Sequence, residues 1–219
     1  MSLPEVVSRK EWLAKRVDFL AEEKAHTRAR DALNAKRREL PMFLIDKDYS
    51  FETPDGNKVS LLDLFEGRRQ LIVFHFMLPA DSGGMLCLGC SFWIDNVPHH
   101  LEHMHARDTS LVVDWAEPLA DILPHKERMG WEVPFVSSSG TDFYRDFSFP
   151  INSDETQTPG ITAFLREGDK IYCTYATRDR GGDLVNNTYN YLDLTALGRQ
   201  ESELDFKWEW LRYHDEYDN

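Results

Sequence analysis

Seven consecutive residues, Leu71-Ile72-Val73-Phe74-His75-Phe76-Met77, hold a single polar side chain and are rich in β-branched and aromatic types. A run of this length and composition reads as a strand buried on both faces. Such a strand needs a packed layer on each side of its sheet, which excludes an all-helical bundle. Ser110-Leu111-Val112-Val113 reads as a second buried strand, and Val133-Pro134-Phe135-Val136 as a short third. Between the last two, residues 117–129 read as a helix closed by Gly130. Pro118 suits its first turn and Pro124 is expected to kink it. Ile161-Thr162-Ala163-Phe164-Leu165 and Lys170-Ile171-Tyr172-Cys173-Thr174-Tyr175 flank Arg166-Glu167-Gly168-Asp169, which predicts a β-hairpin. A helix is expected over 184–198. Strands alternating with helices, then a hairpin, predict an α/β fold: a three-layer α/β/α sandwich with a mixed central sheet.

The chain ahead of this region has a different character. Ser8-Arg9-Lys10-Glu11 is a capping-box pattern, and neither Gly nor Pro follows until Pro41, so residues 8–38 read as one helix. Its apolar positions Leu13, Val17 and Leu20, followed by Ala25, Ala29 and Ala32, form a narrow stripe. The expected organisation is an N-terminal helical arm over 1–40, the main domain over 41–200 and an aromatic, acidic tail over 201–219. The arm carries 10 Lys and Arg against 7 Asp and Glu, within a chain of net charge −13. A basic arm on an acidic body suits docking on a second copy, so a homodimer through this helix is expected. The net charge argues against a nucleic-acid partner, which requires a basic surface. No run approaches the roughly 18 apolar residues of a membrane span. The first residues lack an apolar signal core, so a cytoplasmic location is expected.

Three cysteines are too few for a disulfide scaffold. Two of them form Cys87-Leu88-Gly89-Cys90, after the buried strand and a Gly-containing loop, and ahead of a helix expected from about Ser91 to a break at Pro98. A pair at this spacing reads as redox-active, as metal-binding or as two inert thiols. In the first case Cys87, at the helix start, attacks a disulfide and Cys90 resolves the mixed disulfide. Trp93 follows on the helix, placed either to cover the thiols or to pack. The metal reading has some basis in His99-His100-Leu101-Glu102-His103-Met104-His105, where His99 and His103 would share one helix face; a solvated helix surface is the simpler reading. No metal or cofactor is expected. His75 reads as a satisfied core histidine, or as a group tuning the thiols if it faces them. Cys173 reads as a small hydrophobe in the hairpin.

Asp55-Gly56-Asn57-Lys58-Val59-Ser60-Leu61 followed by Leu71-Ile72-Val73-Phe74 resembles the entry of peroxiredoxin-like proteins. The C-x-x-C after that strand resembles the thioredoxin motif, and Thr158-Pro159-Gly160-Ile161 the cis-proline loop of that superfamily. Nearly the whole chain is similar to a bacterial thioredoxin-like family of unknown function, through stretches such as Glu39-Leu40-Pro41, Cys90-Ser91-Phe92-Trp93, Arg128-Met129-Gly130-Trp131 and Tyr189-Asn190-Tyr191-Leu192-Asp193-Leu194-Thr195. The resemblance implies a thioredoxin-like fold with a redox site of Cys87, Cys90 and Pro159. It also implies a cis bond between Thr158 and Pro159 and a substrate contact from Thr158; Trp93, from its place on the helix, is the other candidate for a substrate contact. Leu-Gly stands where thioredoxins carry Gly-Pro. The Thr of peroxiredoxins is absent, with Gly84 three residues before Cys87. The expected function is a cytoplasmic thiol–disulfide oxidoreductase acting on a protein or small-molecule disulfide. The alternative is a non-catalytic thioredoxin scaffold used for binding, in one version holding a metal.

Overall fold

The computed structural model describes residues 3–77, 86–147 and 159–218. Helix α1 (Arg9–Arg38) opens on the capping box: the Glu11 amide donates to Ser8 Oγ at 3.3 Å and the Ser8 amide to Glu11 Oε2 at 3.0 Å. Its thirty residues span about 45 Å. None of them is buried, and its last turn meets the body where the Arg37 guanidinium lies 4.8 Å from the centre of the Tyr175 ring. Strand β1 (Phe43–Leu44) follows, then the hairpin of β2 (Ser50–Glu52) and β3 (Lys58–Ser60) around the Thr53–Asn57 turn.

The rest alternates as expected. Strand β4 (Gln70–Phe76) leads to α2 (Leu88–Ile94), the short α3 (Glu102–His105) and β5 (Thr109–Trp115). Helix α4 (Leu119–Arg128) precedes β6 (Phe135–Ser137) and α5 (Phe143–Phe147). The hairpin of β7 (Gly160–Glu167) and β8 (Lys170–Arg178) runs into a 3₁₀ segment, Asp179–Val185, and α6 (Asn187–Leu192). The sheet order is β1-β8-β7-β4-β5-β6-β2-β3. Strand β4 lies parallel to β5 on one side and antiparallel to β7 on the other. A central strand joined to a parallel neighbour through a helix, with a hairpin returning on its far side, is a thioredoxin-like arrangement. The fold is therefore the mixed α/β class read from the sequence.

Alternate residues of β4 separate two cores. Phe74 and Phe76 face Cys90, Ile94 and Ile122 of α2 and α4, whereas Leu71 and Val73 face Phe65, Phe143 and Phe147 on the opposite side. A third cluster joins Phe92 of α2 to Tyr189 and Leu211, so the tail packs on the domain.

Several local expectations need correction. The helix expected over 184–198 is interrupted because Asn186 is extended and caps α6, its side chain accepting from the Tyr189 amide at 3.0 Å. Residues 143–147, where the sequence predicts no element, form α5, whose Phe143, Tyr144 and Phe147 are all buried. The β2–β3 hairpin, whose Phe51 is core, went unrecognised because three-residue strands show too little alternation. Helix α2 begins three residues before Ser91, so the cysteine pair belongs to it. The helix expected over 117–129 is present as α4, which ends at Arg128 just ahead of Gly130 with φ 62° and carries Pro124 inside it.

Candidate functional site

The site lies where β4 ends and α2 begins. Cys87 caps α2: its backbone is extended, and its Sγ accepts from the Cys90 amide at 3.2 Å. Its carbonyl takes the Ser91 amide at 2.9 Å and the Ser91 hydroxyl at 3.1 Å. A thiol in the place usually held by Ser or Asp is thus fixed by the helix it starts. Both cysteines are free thiols, with Cys87 9% exposed and Cys90 1%.

Their environments push the two thiols apart. Cys87 is held below the ordinary thiol value, chiefly because the Cys90 thiol donates to it, with the Cys90 and Gly89 amides helping and burial opposing. Cys90 is driven well above that value, first by burial and then by its bond to Cys87. One thiol is disposed to carry the negative charge and its neighbour to keep the proton, the division of labour expected of a nucleophile and a resolving thiol.

A cavity of about 130 Å³ opens in front of the pair. Phe74, Met77, Trp93, Pro159, Tyr189 and Trp208 line it, with Asp179 and Asp183 also present. Trp93 is held in place from behind: a Cβ on Gly182 would overlap the Cη2, Cζ3 and Cζ2 atoms of its indole. Trp208 comes from the tail. A Cβ on Gly89 would lie 3.8 Å from Cys87 Sγ and 4.0 Å from Trp208 Cζ3, so the two flank that glycine. The Trp208 indole donates to Tyr189 Oη at 3.1 Å. Beyond it, Tyr213 Oη donates to the Leu86 carbonyl at 2.8 Å, and Arg128 pairs with Asp215 and Glu216 at 2.7 Å each.

The structure brings together Cys87, Cys90, Trp93 and Pro159 from the residues singled out in the sequence. Thr158 lies outside the described residues, and so does the expectation of a cis Thr158–Pro159 bond. His75 points to the opposite face of the sheet. It joins Asp114 of β5 at 3.2 Å and Thr162 of β7 at 3.0 Å, fully buried, and its ring meets Phe143 and Tyr144. It is a core histidine tying three strands together, and Asp114 Oδ1 is buried there with no hydrogen-bond partner among the described residues. Cys173 is buried in β8, its thiol pushed up to about 11 by burial. The shared helix face expected for His99 and His103 does not exist: α3 starts at Glu102, leaving His99 outside it. Among the described residues, no three His, Cys, Asp or Glu side chains gather where they could hold a metal ion. Tyr189 and Trp208 were missed. Trp208 belongs to the aromatic tail, which the sequence leaves without a position, and Tyr189 stands in a stretch that enters only through the family resemblance.

The family DUF899, described as bacterial protein of unknown function, matches residues 1–217. The chain belongs to this family. The similarity read from its scattered motifs is therefore correct, and it extends over the arm and the tail. No curated protein matches the chain. Among solved structures, a thiol:disulfide interchange protein from Bacteroides sp. is 15% identical with a TM-score of 0.48, covering 70% of this chain and 91% of its own. The thioredoxin domain of a thiol-disulfide oxidoreductase from Bacteroides vulgatus is 14% identical at 0.42, covering 67% and 94%. A peroxidoxin from Mycobacterium tuberculosis is 11% identical at 0.44, covering 70% and 97%. At such identities and scores these neighbours say nothing about what DUF899 proteins do. Among the described residues, no helix is long and apolar enough to cross a membrane.

Proposed function

We propose that this protein is a thiol–disulfide oxidoreductase working through Cys87 and Cys90. One observation carries the reading: the Cys87 sulfur accepts the Cys90 amide and thiol while lining a cavity, so a thiolate is stabilised where a substrate can reach it. The Cys87 thiolate attacks one sulfur of a substrate disulfide, forming a mixed disulfide and expelling the other half as a thiolate that takes up a proton from water. Cys90 then loses its proton, attacks the Cys87 sulfur and releases the second half. The substrate gains two electrons and the pair becomes a disulfide. An external dithiol returns it to the reduced form.

Titration of the pair in thiol–disulfide buffers, read by mass, is the test. The expected result is one two-electron transition, lost in Cys87→Ser and in Cys90→Ser. A pair that remains two thiols both in excess oxidised glutathione and in excess 2,2′-dithiodipyridine removes the reading. A cycle of this kind suits the reducing cytoplasm, which is the location we propose. The same proposal includes a homodimer through α1, whose Trp12, Leu13, Val17, Phe19 and Leu20 are all exposed. A solvent-bathed helix of this kind is marginal without a packed apolar face.

A further inference from the structure

We infer that the substrate is a low-mass, apolar disulfide, one half of which enters the cavity, and that Trp208 of the tail is the residue that sets this specificity. The inference rests on the thiol–disulfide reading and narrows it. Size is the first argument. A cavity of about 130 Å³ is smaller than an ordinary ligand pocket and close to the engineered apolar cavities that hold one benzene. It has room for one ring or a short aliphatic chain. Lining is the second. Phe74, Met77, Trp93, Tyr189 and Trp208 present rings and a thioether, surfaces that favour an apolar or aromatic group.

Access is the third argument. A mixed disulfide with a protein would bring the partner's Cα to about 5–6 Å from that of Cys87. Its flanking backbone would then occupy the space above Gly89, where Trp208 lies. Trp208 is held there on both sides. Its indole is bonded to Tyr189. After it, Leu211 is fully buried, Tyr213 is bonded to the carbonyl just before Cys87, and His214 Nδ1 lies 2.8 Å from Asp95 Oδ1. A polypeptide approaching over Gly89 would have to displace this segment. A small disulfide needs no such displacement.

The test uses the full chain with Cys90→Ser, which halts the reaction at the mixed disulfide. Adduct formation on Cys87 is followed by mass with 2,2′-dithiodipyridine, oxidised glutathione and insulin, each rate divided by that of free cysteine with the same reagent. The expected order is dithiodipyridine first, by on the order of tenfold to a hundredfold over glutathione, the gain of burying one ring, with insulin slowest. Adding Trp208→Ala is expected to erase most of the gap between dithiodipyridine and insulin, and Trp208→Phe to preserve it. Retention of the gap in Trp208→Phe also shows that substitution at 208 leaves the fold intact. Insulin reacting as fast as dithiodipyridine on the unaltered tail would overturn this inference alone, as would a gap unchanged by Trp208→Ala. Failure of all three disulfides to modify Cys87 would remove the thiol–disulfide reading itself.

Discussion

Gly182→Ala is expected to be among the most damaging single-methyl additions in this protein. Gly182 lies in the 3₁₀ segment Asp179–Val185 and is buried, and the new Cβ would overlap Cη2 at the outer edge of the Trp93 indole. That overlap leaves two ways out. The indole can swing away, giving up contacts with Phe74, whose ring centre is 5.6 Å from its own, and with the α2 cores. An aromatic side chain buries about 150–250 Å², and Trp93 is only partly buried, so losing roughly half of that at 25 cal/mol per Å² costs about 2–3 kcal/mol. Alternatively the 3₁₀ segment withdraws, breaking the Asp183–Arg199 pair at 2.9 Å and disturbing the Asn186 cap, for a similar total. Either route predicts a loss of about 2–3 kcal/mol, or roughly 4–12 °C in Tm for a chain of this size. The clashing atoms belong to the outer edge of the indole, which phenylalanine lacks. Trp93→Phe should therefore relieve Gly182→Ala, and urea denaturation of the two single variants and the double variant should give a coupling of about 1.5–2 kcal/mol. A loss below about 0.5 kcal/mol in Gly182→Ala, or additivity within about 0.5 kcal/mol, would refute the packing argument.

Iodoacetamide alkylation of Cys87 should reach half its limiting rate below the ordinary thiol pH range, and Cys90→Ala, which removes the donated thiol hydrogen bond, should move that midpoint upward; an unmoved midpoint would show that Cys90 does not stabilise the thiolate. Deletion of residues 1–38 should convert a dimer to a monomer in sedimentation experiments, and a monomeric full chain contradicts the proposed pairing. Burial, reinforced by Arg128, lowers the pKa of His125 below 6.5, so the unfolded chain binds its proton more readily than the folded one. Its contribution to stability is therefore fully present above about 6.5 and lost as pH falls through the lower folded value; His125→Gln should flatten urea midpoints across that window. Asp114→Ala removes the buried hydrogen bond to His75 and should cost about 1–3 kcal/mol by urea denaturation, with Asp114→Asn costing less because it keeps a bond to the ring.

The fold was legible where local pattern and tertiary environment agree. Residues 71–77 are apolar but for His75 because β4 has a core on each face, and that composition needs no knowledge of its neighbours. The capping box at Ser8 and the turn before Lys170 are likewise local. Legibility fails where the deciding contact is distant. Residues 184–198 look helical by composition, yet the buried side chain of Asn186 stops the pattern by capping α6. Phe51 looks like a loop aromatic until β2 is placed beside β6, where Glu52 pairs with Ser137.

The same distinction governs the site. Cys87 and Cys90 were recognisable because their spacing is itself the geometry: four residues at a helix start bring the Cys90 amide to the Cys87 sulfur. Trp93 follows from that helix. Trp208 lies 119 residues beyond Gly89 in the chain, and nothing local distinguishes it from Trp210, whose indole bonds Glu201 instead. What brings Trp208 to Cys87 is the anchoring of the tail by Leu211, Tyr213 and the Arg128–Asp215 pair. Each of these has its partner in an element that becomes a neighbour only once the sheet is assembled. A motif therefore reveals the paired sulfurs, whereas the wall beside them is a property of the folded chain. Selectivity should accordingly respond to changes in the tail that leave the thiols themselves untouched.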